Sequence, residues 1–143
     1  MNAPVETLRV FVGCMLELES TRHLAEFQAT LQPEVVAQGL KVRWIPPPSL
    51  HFTLRFLGTI DAPVVTPLRA LVTRLGSKQR MLRVRLGVPQ PWPDAAHPMR
   101  IVVPLAEGKE AVEALAQTVD RACLDLGFPS NTQPFKPHIG LAR

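Results

Sequence analysis

Two histidines, His51 and His138, each stand near the start of a short apolar stretch and close behind a proline. Alignment of the stretches 48–55 and 135–143 on these histidines also matches the apolar residues that alternate with them. Each stretch ends in a basic residue, Arg55 in the first and Arg143 in the second. The repetition predicts one site that is built from two similar halves.

The residue types of these stretches suit proton transfer around a phosphate. In a β-strand, residues i and i+2 project from the same face, so His51 and Thr53 share a face, while Phe52 and Leu54 anchor the strand in the core. Two such units suit in-line displacement at phosphorus. One neutral imidazole takes the proton of the attacking oxygen, and a protonated one supplies the proton of the leaving oxygen. The hydroxyl and nearby cations would hold the nonbridging oxygens.

Other candidate sites are weaker. A single His-x-Thr on a strand arises often by chance, and we expect His23 and His97 to be solvated. No third metal ligand stands at a recognisable spacing near either histidine strand, so we predict no metal site and no cofactor. Cys14 and Cys123 are predicted to be buried free thiols, because two distant cysteines form neither a disulfide framework nor a zinc site.

Composition restricts the class of protein. The 143 residues predict one domain, and 46% hydrophobic against 20% charged residues is typical of a globular protein. No apolar run approaches the ~18–20 residues that span a bilayer, and the N-terminus lacks the pattern of a secretory signal. We therefore expect a cytoplasmic monomer with no membrane contact. The net charge of +4 favours an anionic partner.

Hydrophobic periodicity predicts strands and helices in both halves of the chain. Strands are predicted at 8–13, 41–45, 51–56, 81–86, 100–105 and from 138 onwards. Helices are predicted over 61–76, over 111–126, and from Ser20 to a stop or kink at Pro33, with Gly39 as a later stop. Residues 46–48 are predicted to form a rigid extended connector, and 88–98 an irregular loop. Trp44 and Trp92 could stack on a base, although Trp44 more readily belongs to the core.

This order predicts an α+β fold in which antiparallel sheets line a central cleft and helices pack outside. The single domain, 1–143, is expected to consist of two pseudo-symmetric lobes. Each lobe would contribute one histidine strand, with His51 in one lobe and His138 in the other.

The histidine motifs also resemble those of a known family. His51-Phe52-Thr53-Leu54 and His138-Ile139-Gly140-Leu141 are similar to the paired His-x-Thr/Ser-x motifs of the 2H phosphoesterase superfamily. Together with the phrases at 11–13, 43–47, 50–58 and 135–143, they resemble the bacterial and archaeal RNA 2′,3′-cyclic phosphodiesterases. These enzymes were first described as 2′-5′ RNA ligases.

The resemblance implies a bilobal fold and metal-independent opening of a terminal 2′,3′-cyclic phosphate on RNA to a 2′-phosphate. By position, His51 would be the general acid that protonates the 3′-oxygen, and His138 the general base that activates water. Thr53 would bind a phosphate oxygen, and Arg143 would be a phosphate-binding cation.

Departures from the family pattern leave alternatives open. Gly140 stands where the family has Thr or Ser, so a backbone N–H or a water would have to replace one hydroxyl. Strict alternation turns Arg143 away from the face of His138, whereas Arg55 falls on the face of His51 and could supply charge instead. Alternative activities are 2′-5′ RNA end joining and hydrolysis of small cyclic nucleotides. A degenerate relative that binds RNA ends without turnover is a further alternative.

Overall fold

The computed structural model describes residues 3–131 and 134–143 of the chain. The described residues form the strands β1 (Thr7–Met15), β2 (His51–Asp61), β3 (Arg85–Leu86), β4 (Gln90–Trp92), β5 (Arg100–Glu107) and β6 (His138–Ala142), and the helices α1 (Leu18–Ala37), α2 (Val65–Lys78) and α3 (Lys109–Asp125). Short 3-10 turns lie at Pro47–Ser49 and Ala62–Val64. No helix of this described part is long and apolar enough to cross a membrane.

The chain divides into two compact units. Unit 1 comprises Met1–Gly13, Thr53–Val84 and Gly108–Pro137, and unit 2 comprises Cys14–Phe52, Arg85–Glu107 and His138–Arg143. Both His51 and His138 belong to unit 2. The arrangement into two pseudo-symmetric lobes stays a prediction.

Unit 1 packs α2 against α3 and contains neighbouring parts of β1 and β2. Both helices are amphipathic, because their buried side chains recur every three or four residues. These are Leu68 and Leu71 in α2, and Val112, Ala116, Val119, Ala122 and Cys123 in α3. Gly108 precedes α3 with φ of +89°, where a Cβ would approach the Arg83 carbonyl oxygen within 2.7 Å. Only glycine fits there without strain.

Unit 2 is built around β6, whose Ile139 and Leu141 are completely buried. One edge of β6 pairs antiparallel with β2, and the other pairs antiparallel with β5. Strands β3 and β4 both pair with β5. From α1, the buried Gln28 amide donates to the carbonyl oxygens of Ile45 and Leu141, at 2.8 and 3.1 Å. These two bonds satisfy two carbonyl oxygens at the edge of β6 where residues 43–45 form a single bridge instead of a regular strand.

The predicted α+β class with antiparallel pairing is confirmed. Helix α1 continues through Pro33 to Ala37, close to the later stop predicted at Gly39. Several strand and loop predictions are wrong. The predicted strand 81–86 is reduced to Arg85–Leu86, and the expected irregular loop 88–98 contains β4. The predicted strand 41–45 is a single bridge from Trp44 to Ala142. A strand forms only where a second strand pairs with it, and these partners are distant in sequence. Local propensity therefore does not decide which residues form a strand.

Candidate active site

His51 and His138 lie on adjacent antiparallel strands of unit 2. The register pairs Phe52 with Ile139, so His51 lies across from Gly140 and His138 is its diagonal neighbour. Diagonal neighbours of this kind are about 7–8 Å apart. Phe52 and Ile139 are buried, whereas both histidines are half-buried, which places the imidazoles on the other side of the sheet. A typical diagonal spacing of this kind is wide enough for one small group between two side chains.

A protruding loop brings His51 to this position. Residues 43–45 occupy the same edge of β6 as the start of β2. They are joined to the end of β6 by backbone hydrogen bonds in the pairs Arg43–Arg143 and Ile45–Leu141. Residues 46–50 therefore leave the edge and return to it at His51. The loop is a 3-10 turn over Pro47–Ser49 rather than the extended connector that the three prolines predicted.

This loop also orients the His51 ring. The Nδ1 atom lies 2.7 Å from the carbonyl oxygen of Ser49. Since a carbonyl oxygen only accepts, Nδ1 must carry the hydrogen, and Nε2 is the nitrogen that gains or loses a proton. The contact fixes the tautomer from within the chain, two residues before the histidine.

Trp92 of β4 contacts the ring of His138. The two rings meet edge to face, with centroids 4.9 Å apart and an angle of 73° between their planes. In this geometry the edge of one ring meets the π face of the other, which restricts how the imidazole turns. The sequence predicts Trp92 only as a base-stacking candidate in an irregular loop, and no sequence signal places β4 near β6. Trp44 is half-buried and donates its Nε1 hydrogen to the side chain of Gln32.

Thr53 and Gly140 lie on the strands where the motifs predicted them. Thr53 follows His51 by two residues along β2, and is half-buried between the buried Phe52 and Leu54. Gly140 lies in β6 outside the left-handed region, and a Cβ there would meet only the Cδ1 atom of Ile45, at 3.4 Å. The glycine is therefore not required by the backbone.

The structure places the two candidate arginines differently from each other. Arg143 is exposed, and its backbone exchanges hydrogen bonds of 2.9 and 3.0 Å with Arg43. Arg55 was expected on the exposed face of β2, but only 6% of it is exposed. Its Nε atom lies 3.0 Å from a carboxylate oxygen of Asp120, and its other nitrogens donate to the carbonyls of Phe56 and Pro129.

The reversal at Arg55 has a local cause. Leu54 and Arg55 are consecutive, yet both are buried and both line one cavity with α3 residues such as Ala116 and Asp120. Two consecutive inward side chains break the alternation of a strand, as a β-bulge does. Arg55 is buried and its charge is balanced by Asp120, whereas its position on the face of His51 stays a prediction.

Neither cysteine has the character of a nucleophile. Burial raises the pKa of the Cys14 thiol and that of the Cys123 thiol. The Arg55 guanidinium opposes the rise in the pKa of Cys123, and the Asp120 carboxylate adds to it. Across the residues that the structure describes, no three metal-binding side chains cluster into a possible ion site.

The chain is similar to known proteins over most of its length. The family model described as LigT-like phosphoesterase matches residues 16–88. The RNA 2′,3′-cyclic phosphodiesterase of Thermus thermophilus is 32% identical over 148 residues, covering 95% of this chain and 68% of that protein. The corresponding protein of Aquifex aeolicus is 27% identical over 145 residues, covering 97% of this chain and 72% of its own.

Solved structures match as well. The crystal structure of the Thermus thermophilus protein TT0787 superposes with a TM-score of 0.75 at 28% identity, covering 95% of this chain and 74% of that one. The chain has the antiparallel α+β fold of these phosphoesterase structures, and it is a hydrolase. The chain belongs to the LigT-like phosphoesterase family. The resemblance seen in the motifs is thereby confirmed.

Proposed function

We propose that the protein hydrolyses a terminal 2′,3′-cyclic phosphate on RNA to a 2′-phosphate. The observation that carries this proposal is the placement of His51 and His138 on one side of adjacent strands, in the register Phe52 to Ile139. Two relatives at 27% and 32% identity carry the name RNA 2′,3′-cyclic phosphodiesterase. Their substrate fits a site with two acid–base groups around one phosphate.

The reaction divides between the two imidazoles. Neutral His138 removes a proton from water as its oxygen forms a bond to phosphorus. The bond from phosphorus to the 3′-oxygen breaks, and protonated His51 gives its Nε2 proton to that oxygen. The Ser49 carbonyl holds Nδ1 of His51 throughout, so the exchangeable proton stays on the nitrogen directed away from the loop. The products are a 2′-phosphate and a 3′-hydroxyl.

Charge on the phosphate has to be balanced as the new bond forms. The Thr53 hydroxyl donates a hydrogen bond to a nonbridging oxygen, and the exposed Arg143 is the cation that we assign to the phosphate. Arg55 is excluded from this role because its guanidinium is buried beside Asp120. Metal independence is part of this proposal, and a pair of histidines that supplies both proton transfers supports it.

One observation favours a second candidate function, a protein that binds RNA ends with little turnover. Gly140 lacks the hydroxyl that the family motif supplies, and loss of one transition-state donor typically costs ~2.7–4 kcal/mol. In this case the histidine pair and Arg143 would still bind a terminal phosphate. The two candidate functions differ in whether the RNA end is hydrolysed, and both include binding of a terminal phosphate.

The test is incubation of the pure protein with an oligonucleotide that ends in a 2′,3′-cyclic phosphate, in the presence of EDTA. The expected product is a 2′-phosphate, distinguished from a 3′-phosphate by ³¹P NMR. A 3′-phosphate would contradict the assigned leaving group, and tight binding without product would favour the second candidate. Adding 2′,3′-cyclic AMP in parallel tests small cyclic nucleotides, and adding an acceptor with a free 5′-hydroxyl tests end joining.

A further inference from the structure

A buried glutamine of α1 bonds the two chain segments that lead to the site histidines. Gln28 is only 7% exposed, and its Nε2 group donates to the carbonyl oxygens of Ile45 and Leu141. A primary amide has two N–H donors, so both are used. The other buried side chains of α1, Leu24 and Val35, are apolar. Since burial of an amide is costly without hydrogen bonds, these two bonds are what keep Gln28 on the inner face of the helix.

The two carbonyls belong to the last pairing before the chain leaves the edge of β6. The backbone N–H of Ile45 donates to the Leu141 carbonyl oxygen at 2.9 Å, and the chain departs after Ile45 into the loop 46–50. Gln28 therefore bonds both members of this pairing from a third element, and it does so where the loop begins.

The loop 46–50 connects this attachment to His51. Two backbone hydrogen bonds inside the loop, of 2.8 and 3.1 Å, and three prolines with fixed φ make it stiff. The carbonyl oxygen of Ser49 in turn lies 2.7 Å from Nδ1 of His51. A displacement of Ile45 would thus displace the group that orients the imidazole.

The Leu141 carbonyl connects Gln28 to the second histidine. Leu141 is completely buried in β6 and follows His138 by three residues in the same strand. Because β6 is paired with β2 on one edge and with β5 on the other, it is the fixed part of the site. The Gln28 amide ties the start of the loop to this strand.

We propose that Gln28 is a positioning residue for the histidine pair. Its amide holds the start of the loop 46–50 against β6, and thereby sets the place of the His51 imidazole relative to that of His138. The inference rests on the proposed function in treating the two histidines as one acid–base pair. Both hydrogen bonds of Gln28 end on backbone carbonyls, so it acts on the reaction through geometry and not by proton transfer.

The first experiment compares Gln28→Met with the wild type in steady-state hydrolysis of 2′,3′-cyclic AMP. Methionine has a similar length and no N–H donor. The kcat should fall about 10- to 100-fold, because a misplacement of ~1 Å from a remote change can lower a rate by ~10². The KM should stay unchanged, since the groups assigned to the phosphate, Thr53 and Arg143, remain in place.

The matched control is Leu24→Ala, one turn earlier on the buried face of α1. This variant also lowers the melting temperature, because it leaves a cavity, but it removes no hydrogen bond to Ile45 or Leu141. Its kcat should equal that of the wild type at a temperature where all variants are folded. Equal losses of kcat in Leu24→Ala and Gln28→Met would overturn the inference, because they would follow from weaker packing of α1.

Gln28→Glu keeps the inference testable if Gln28→Met does not fold. The carboxyl has nearly the shape of the amide and offers at most one hydrogen to the two carbonyl oxygens, so at least one bond is lost. This variant should also lower kcat and leave KM unchanged. A wild-type kcat in Gln28→Glu, or in folded Gln28→Met, would overturn the positioning role.

The second experiment measures the His51 tautomer by ¹⁵N NMR, with His51→Ala to assign its signals. In the wild type, Nδ1 carries the hydrogen of the neutral ring, because it faces the Ser49 carbonyl. In Gln28→Met a measurable fraction of rings should carry it on Nε2 instead, and Leu24→Ala should keep the wild-type tautomer. An unchanged tautomer in Gln28→Met would overturn the inference.

The tautomer measurement needs no turnover, so the two proposals are judged separately. A wild type that does not hydrolyse the cyclic phosphate would contradict the proposed function. The NMR comparison of Gln28→Met with Leu24→Ala would still decide whether Gln28 orients His51.

Discussion

Trp92 meets His138 edge to face, with ring centroids 4.9 Å apart, although the two residues are 46 positions apart in the chain. Both strands that carry them pair with β5, β4 through the register Trp92 to Arg100 and β6 through Pro104 to His138. The contact restrains the imidazole that we assign as the general base. Trp92 is therefore a positioning residue rather than one that touches the reacting atoms.

Trp92→Ala should lower kcat about tenfold and leave KM nearly unchanged, since an aromatic pair contributes ~0.5–1.5 kcal/mol beyond its buried area. Trp92→Phe should restore most of kcat, because it supplies another aromatic ring. The measurement is steady-state hydrolysis of the cyclic-phosphate oligonucleotide. An unchanged kcat in Trp92→Ala, or a change confined to KM, would contradict the positioning role.

The two site histidines should act as a unit. His51→Ala and His138→Ala should each lower kcat by about 10²–10⁴, the usual contribution of general acid–base catalysis. The double variant should be little worse than either, because residues of one mechanism are strongly non-additive. His23→Ala and His97→Ala are the controls, since both histidines are exposed. Multiplicative losses in the double variant would argue against a shared phosphate.

Gly140→Thr should preserve the melting temperature and raise kcat by as much as about 10²-fold, the effect of one added transition-state donor. The backbone permits it, because the new Cβ would meet Ile45 Cδ1 at the ordinary contact distance of 3.4 Å. Gly140→Val is the matched control, with the same shape and no hydroxyl. If the Thr and Val variants have the same kcat, the hydroxyl is not the missing group.

The ion pair of Arg55 with Asp120 should stabilise the fold. Asp120→Asn should lower the free energy of unfolding by about 3 kcal/mol, because it leaves a buried guanidinium without its charge partner. Arg55→Met combined with Asp120→Leu should cost less, since no buried charge remains. Urea denaturation measures both.

The exposed pair of Arg85 with Glu107, 3.4 Å apart, provides the control. Glu107→Gln should cost less than about 1 kcal/mol, as solvent screens such a pair. Comparable losses of unfolding free energy in Glu107→Gln and Asp120→Asn would contradict a larger contribution from the buried ion pair.

Stability at alkaline pH should depend on Cys123. Burial raises the pKa of its thiol in the folded state, so the unfolded chain loses this proton first as pH rises above about 8.5. The stability that the buried, neutral Cys123 thiol contributes is therefore complete at pH values below the thiol pKa of the unfolded chain, and it declines above that pKa. The stability advantage of the wild type over Cys123→Ala should be constant from about pH 6 to 8 and shrink towards about pH 10. A constant difference across this range would contradict the raised pKa.

The sequence by itself determined the features that depend on near neighbours. The alternation through Phe52 and Leu54 fixed which side of β2 is buried, and helical spacing from Val112 to Cys123 fixed the inner face of α3. Both follow from periodicities of two and about three and a half residues, which need no distant partner. The motifs around His51 and His138 also carried the family resemblance.

Only the tertiary structure decided what depends on register and long-range pairing. The diagonal placement of His51 and His138, the contact of Trp92 and the return of 46–50 to the edge of β6 all require partners far along the chain. Arg55 is the clearest case, because it is buried in an ion pair with Asp120 rather than exposed beside His51. Asp120 lies 65 positions further along the chain, so local alternation does not indicate this pairing.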